Sequence, residues 1–493
     1  MSFDLETAAH PDQLRRVAID PVSRIEGHGK VTLLLDENNK VHQARLHIVE
    51  FRGFEKFIQG RPYWEVPVMV QRLCGICPVS HHLAASKALD MIVGATQLTP
   101  TAEKIRRLMH YGQILQSHAL HFFHLASPDL LFGFDADVAK RNVVGVIAAY
   151  PDTAKKGVLL RKYGQEVIRM TAGKRVHGTG SIPGGVNKSL SAEERAALLK
   201  DAYQMVAWSR EAVGLARQLF EQNADFNNAF GRFDAHSMSL IRADGAMDLY
   251  HGGLRARDRS GSILFDHFDY GRYWDVIVED VKPWSYMKFP FLRSLGPETG
   301  WYRVGPLARV ANCDHIPTPL ADKERIAFLG FPGAAGATLG YHWARMIEML
   351  HAAECIEDLL HDDDITGSDL VVTGERTGRG VGVIEAPRGT LIHHYRVNEN
   401  DEVIRANLIV STTHNNQAMN EAIRQVARQH LDGREITEGL LNHIEVAIRA
   451  FDPCLSCATH ALGRMPLEVT IVSHDGTPID RLMRGADGRC LRA

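Results

Sequence analysis

The chain has 493 residues, 45% apolar and 23% charged, so it can bury a large core and is neither disordered nor collagen-like. Fifty-six basic against 59 acidic side chains leave a formal charge of −3, which offers no electrostatic footprint for nucleic acid and no polybasic membrane anchor. The opening residues show no signal peptide and no apolar run approaches the ~18 residues of a membrane span, so a cytoplasmic protein is expected.

From about residue 16 to 50 the chain reads as strands, two β-rich runs flanking the polar turn Asp36-Glu-Asn-Asn39. From about Val68 the period becomes helical, and the segment from Thr101 carries apolar residues three and four apart. A long helix opens at Ser191, where Glu194 completes a capping box, and runs toward Asn223. Another spans His342 to Leu360 and stops at His361-Asp-Asp-Asp364, read as a solvated helix end. Leu370 to Val410 reads as strands, with Gly374, Gly378, Gly380 and Gly382 marking turns. Helical stretches near Gln417 to His430 and Ile436 to Phe451 follow, and a last strand is expected in Pro466-Leu-Glu-Val-Thr-Ile-Val472. No repeat, linker or clean boundary interrupts this pattern. The fold expected is helix-rich α+β, a central bundle of long helices between N-terminal and C-terminal β-containing parts.

No G-x-G-x-x-G or Walker A segment occurs; His177-Gly-Thr-Gly180 comes closest, but Gly184 falls one position late. Any nucleotide chemistry therefore belongs to another polypeptide. Four of the seven cysteines form two C-x-x-C pairs, Cys74 with Cys77 and Cys454 with Cys457. Two intervening residues let both sulfurs converge on one side of a turn, as chelation of a soft or borderline metal requires. One pair alone fits a redox disulfide or half a zinc site; two distant pairs together can complete four thiolates, and a structural zinc site remains open on this ground alone. His81 and His460 follow the pairs closely, and the 25 histidines hint at metal or proton chemistry. Cys313, Cys355 and Cys490 stand alone and are assigned no function.

The residues around these pairs carry a resemblance. Arg72-Leu-Cys74-Gly-Ile-Cys77-Pro-Val-Ser-His81 and Asp452-Pro-Cys454-Leu-Ser-Cys457-Ala-Thr-His460 resemble the two signature motifs of nickel–iron hydrogenase large subunits. Arg24-Ile-Glu26-Gly-His28, Phe51-Arg-Gly-Phe-Glu55 and Ala386-Pro-Arg388-Gly resemble three further motifs of that family, in the same order. The wording around them is similar to the cytoplasmic NAD-reducing branch.

The resemblance implies the large-subunit fold and reversible heterolytic cleavage of H2 into protons and electrons. It implies a nickel held by Cys74, Cys77, Cys454 and Cys457, with Cys77 and Cys457 bridging to an iron that carries one carbon monoxide and two cyanides. Cys454 would be the first proton acceptor and Glu26 the first relay carboxylate, although on residue type alone Glu26 reads as an ordinary surface or ion-paired glutamate. Arg388 would overhang the open metal position, against the plainer reading of a loop-anchoring arginine. His81 would hydrogen-bond a bridging sulfur, and Ser411 and Thr412 would contact the cyanides. Glu55, the Leu408 carbonyl and His460 would hold a magnesium ion, where Glu55 otherwise reads as an ion-pair partner of Arg52.

Three positions depart from the respiratory members: Ser117 stands where many have Asp, Ser411 where they have Pro, and His414 where they usually have Trp. The resemblance further implies one unit over residues 1–460 and a 33-residue extension, 461–493, removed by a maturation protease after nickel and iron insertion. The three left-over cysteines fall short of the roughly four an iron–sulfur cluster needs. Clusters, flavin and NAD are thus expected on partners, a diaphorase and a small subunit, with an exposed apolar face receiving the latter. Competing readings are coupling to NADP, a deazaflavin or a thiol-linked acceptor, a structural four-cysteine zinc protein, and a coupling protein like the one in complex I.

Overall fold

The β-rich start of the chain folds into an antiparallel meander of β1 (Arg15–Ile19), β2 (Gly29–Leu35) and β3 (Val41–Ile48). The Asp36–Asn39 segment turns between β2 and β3, its Asp36 carboxylate accepting from the Asn38 and Lys40 N–H groups. The computed structural model describes residues 4–458 and the backbone of three further strands, Leu467–Val472, Pro478–Arg484 and Cys490–Arg492, which pair antiparallel in that order.

The middle of the chain is helical: α1 (Pro78–Ile92), α2 (Pro100–Leu120), α3 (Pro151–Ala172) and α4 (Ala192–Gln222). Thr99 caps α2 by accepting from the Ala102 N–H, and the Ser191–Glu194 capping box opens α4 as its sequence predicts. Between α4 and the next helices the chain makes β4 (His236–Ile241), β5 (Gly253–Arg257) and β6 (Ile263–Phe268), then the hairpin β7 (Ile277–Asp280) and β8 (Phe289–Leu292), then β9 (Tyr302–Arg303). Four of these form one sheet in the order β9-β4-β5-β6. Helix α5 (Pro306–Asn312) leads to α6 (Gly340–His361), which packs on both α2 and α4 and is buried almost all round. The acidic run at its end does more than meet solvent: Lys104 of α2 pairs with Asp362 and Asp364, while Asp363 stays exposed.

Strands β10 (Arg379–Ala386), β11 (Gly389–Val397) and β12 (Val403–Ile409) form an antiparallel sheet, followed by α7 (Asn416–Val426) and α8 (Glu438–Ala450). Gly380 and Gly382, expected at turns, lie inside β10. Helix α1 crosses them so closely that a Cβ would sit 1.8 Å from the Ala88 carbonyl oxygen at Gly380 and 2.3 Å from that of Ala84 at Gly382. These glycines serve a helix-on-strand approach, not a reversal of the chain. Helix α1 and the β10–β12 sheet share one core cluster, and all four paired cysteines belong to it.

Candidate metal centre

Each cysteine pair is delivered by a helix end. Cys77 is the N-cap of α1, with Pro78 in the first helical position, and Cys74 lies one tight turn before it. The Ile76 N–H points at the Cys74 Sγ at 3.1 Å, so the turn and the positive end of α1 favour a thiolate here. The second pair follows α8 and is tied to the N-terminal part by a parallel bridge between Glu26 and Cys454. The fold thereby closes the 376-residue gap between Cys77 and Cys454.

The four sulfurs lie within 4.8 Å of one another and are all buried. Cys454 Sγ is 3.1 Å from both Cys74 and Cys457, and Cys77 is 3.8 Å from Cys454 and 3.6 Å from Cys457. Metal–thiolate bonds of about 2.3 Å put four sulfurs at such separations around one ion, so the donor set fits a thiophilic metal. Hydrogen bonds from the neighbouring thiols, led by Cys454, hold Cys74 well below the usual thiol range, with Arg388 adding its charge. Burial pushes Cys454 and Cys457 upward, so Cys74 is the first of the set to ionise.

Glu26 runs alongside Cys454. Its carbonyl accepts from the Leu455 N–H at 3.0 Å, and its carboxylate from the Ser456 N–H at 3.1 Å. Burial raises its carboxyl pKa, and the negative Cys74 adds to the rise, so a proton is held here more readily than on an exposed glutamate. Arg24 fixes the segment from the other side, reaching Asp129 at 2.6 Å, and Asp129 is shared with Arg449 of α8.

Arg388 is 3% exposed, and two of its three nitrogens bind Asp452: Nε donates to the carbonyl at 2.6 Å and Nη2 to the carboxylate at 3.1 Å. Among the described residues its Nη1 has no hydrogen-bond partner. A small cavity runs from Arg388 past Cys77, Cys454, His81, Ser411 and Thr412. The structure thus brings Glu26, Arg388, His81, Ser411 and Thr412 beside the four cysteines, while His460, expected on a magnesium with Glu55 and Leu408, lies outside the described residues. Thr412 Oγ1 accepts from the Cys454 N–H at 2.9 Å, and Ser411 donates to the Gly389 carbonyl. His81 meets His393, at 3.1 Å, across the α1–β11 contact, and burial depresses its pKa to about 4, so it is neutral.

Glu55 is buried, accepts from the Leu408 N–H at 2.8 Å and lies 3.8 Å from the Lys288 ammonium. It pairs with Lys288 and not with Arg52, whose guanidinium reaches the Arg72 and Leu73 carbonyls. Burial raises its pKa to about 7 against the lowering pull of Lys288 and the Leu408 N–H. Of the departures, His414 binds the Tyr302 hydroxyl at 2.6 Å, and the buried Ser117 hydroxyl has no partner among the described residues. Cys313 and Cys355 sit away from the cluster, their thiols pushed up by burial. Asp452 has no role that its sequence position announces, although it stands in the second cysteine motif; the available signal is that a buried arginine needs a carboxylate.

Residues 52–145 and 265–460 match the nickel-dependent hydrogenase family, and residues 16–51 match a family described as HoxL-like. The chain is 50% identical over 487 residues to the NAD-reducing hydrogenase HoxS subunit beta of Cupriavidus necator, covering 95% of this chain and 100% of that one. It is 43% identical to an F420-non-reducing hydrogenase subunit of Methanothermobacter thermautotrophicus, over 93% of this chain and 98% of the relative. Among solved structures, an NAD+-reducing [NiFe]-hydrogenase in the H2-reduced state superposes with a TM-score of 0.90 at 61% identity, covering 90% of this chain and 99% of that one. The Ni-Fe-Se hydrogenase of D. vulgaris Hildenborough superposes with a TM-score of 0.74 at 25% identity, covering 91% and 100%.

Proposed function

The chain belongs to the nickel-dependent hydrogenase family, and on that premise we propose that it is the H2-cleaving subunit of a cytoplasmic complex that reduces NAD+. The convergence of Cys74, Cys77, Cys454 and Cys457 within 4.8 Å carries the reading. The 50% identity to a NAD-reducing relative, above the 43% to an F420-non-reducing one, favours NAD over the other acceptors. Among the described residues no helix is long and apolar enough to cross a membrane, in keeping with a complex free of a membrane span.

The four cysteines would hold a nickel–iron centre, Cys77 and Cys457 as the pair shared between the two metals, with Ser411, Thr412 and His81 lining the pocket beside it. When bound, that centre supplies the redox-active Lewis acid on which H2 becomes acidic. Arg388, locked by Asp452, keeps its free Nη1 N–H groups beside Cys454 and positions the small substrate. The proton passes to the Cys454 sulfur and on to Glu26, whose carboxyl is held ready by the Ser456 N–H. Glu55, the Leu408 carbonyl and His460 would hold a magnesium ion, to which Glu55 would offer a buried carboxylate oxygen.

Electrons leave where the cluster nears the surface. Gly75, between the first two cysteines, is exposed. Phe51, Trp64, Val68 and Val176 are exposed on segments adjoining it, tied in through Arg52 and His177. This is the face for an iron–sulfur small subunit, which passes electrons to a flavin-bearing diaphorase. Residues 461–493 are a precursor tail removed by a maturation protease after metal insertion.

The test is an infrared spectrum, with nickel analysis, of the complex matured in its own host. One carbonyl band and two cyanide bands with one nickel per chain are expected. Zinc in place of nickel, with no such bands in trimmed protein, would overturn the reading. Replacing Glu26 by Gln should leave these bands intact and lower H2 turnover at least 100-fold, and a C454S chain should retain its tail.

A further inference from the structure

We propose that the open end of the β10–β12 sheet is a docking site for a carboxylate-rich segment of a partner polypeptide, recognised by a ladder of three arginines. Arg379 of β10 is the cross-strand partner of Arg396 on β11, and Arg396 is the partner of Arg405 on β12. Cross-strand partners share a face, so the three side chains stand in a row about 10 Å long, two strand spacings. Like charges placed directly opposite destabilise a sheet, and this row repeats the penalty twice.

All three arginines are exposed, and none lies within ion-pair distance of a carboxylate among the described residues. Nearby Arg376 shows the contrast, pairing with Asp401 at 2.6 Å.

The ladder lines a groove of about 1610 Å³ whose far wall is the Tyr270–Arg293 segment. Arg293 adds a fourth cation there, donating to the Trp274 carbonyl at 2.8 Å and making no ion pair among the described residues. A fifth cation lies in the floor: Lys87 is buried, with its ammonium on the Tyr250 and Val383 carbonyls and, among the described residues, on no carboxylate. The acids of the groove are mostly taken already, Asp90 by Arg106, Glu103 by Arg107 and Glu279 by Lys288, leaving Glu375 at the rim.

Two observations choose the occupant. The groove exceeds the roughly 300–1,000 Å³ of small-molecule sites. Its aromatic faces are already in use: Trp274 stacks on His394 and carries Arg379 at 4.9 Å, while Lys87 lies 5.0 Å from both the Tyr250 and Tyr270 rings. What the groove offers over its length is a row of cations without carboxylate partners among the described residues, so a chain segment bearing Asp and Glu is the fitting partner.

The proposal needs no metal, so its failure is separate from failure of the hydrogenase reading. In the complete complex, an R396K variant keeps the charge and offers an amine that a water-soluble carbodiimide joins to a touching carboxylate. The expected result is a cross-linked peptide joining position 396 to an acidic segment of another polypeptide of the complex, with H2-dependent dye reduction unchanged. An R379S/R405S double variant should bind that partner at least tenfold more weakly, with a shallower salt dependence. Coupling at position 396 to nothing, or to Glu375 of the same chain alone, would overturn the proposal. So would binding of inorganic pyrophosphate to the full chain with no polypeptide coupled.

Discussion

Arg388 carries a permanent charge into the interior, and the geometry around it shows why a lysine cannot stand in its place. The planar fork spends Nε and Nη2 on two oxygens of Asp452 and leaves Nη1 aimed into the cavity beside Cys454. A lysine keeps the charge but offers one flexible ammonium, which goes to Asp452 and abandons the cavity. Arg388→Lys should therefore bind nickel normally and lose about 100-fold in kcat, the scale of misplacing one positioned group. Full activity in nickel-replete R388K protein would show that the fork is structural only. Arg388 was legible because its motif resembles a known one. Asp452 was not, because its role follows from burial and charge compensation, neither of which a linear spacing displays.

At the scale of elements, the Glu26–Cys454 bridge joins the two ends of the chain, and one glycine makes it close. Gly27 sits at φ +84°, and a Cβ there would lie 2.7 Å from the Ser456 N and 2.8 Å from the Leu455 Cβ. Gly27→Ala meets backbone strain and a backbone clash together, so a destabilisation of about 2–3 kcal/mol is expected. Hydrogen exchange at the Leu455 amide reads it directly: faster exchange there, with α4 unaffected, is the expected pattern. Unchanged protection would show that the bridge is not what holds the cysteine segment. Elements with local signals were the ones the sequence disclosed, as at α4 with its capping box and at the β2–β3 turn with its Asp36. Helix α3 and the β4–β9 region were passed over. Strands β7 and β9 have only four and two residues, too short for a period to emerge, and α3 interleaves Lys155, Lys156, Arg161 and Lys162 with its buried positions. Gly380 and Gly382 misled for a related reason, since a glycine in a turn and one beneath a crossing helix look alike in sequence.

Over the whole molecule, histidines rather than carboxylates should set the acid limit of the fold. Helices α2 and α6 bury His110, His118, His342 and His351 against each other's surroundings, with His110 bound to the Leu249 carbonyl and His351 to Thr318. Burial depresses three of them to about 4 and His342 to about 3, so all four are neutral in the folded protein at pH 7. Unfolded histidine titrates near 6.5. Between those values the unfolded chain binds protons that the folded chain refuses, so stability is intact above about pH 6.5 and is lost as pH falls toward 4. Each such histidine contributes a slope of about 1.4 kcal/mol per pH unit in that window. Glu348, held near 2 by Arg309 and His118, and Glu103, held near 2 chiefly by His251 and Arg107, add their losses only below about pH 4.3. The urea midpoint should therefore drop steeply between pH 6.5 and 5, before the carboxylates held near 2 give up their share. A midpoint flat to pH 4.5 would place the acid limit with the carboxylates instead. A His351→Asn variant should flatten the slope by one histidine's share, because asparagine can still meet Thr318 but takes up no proton on unfolding.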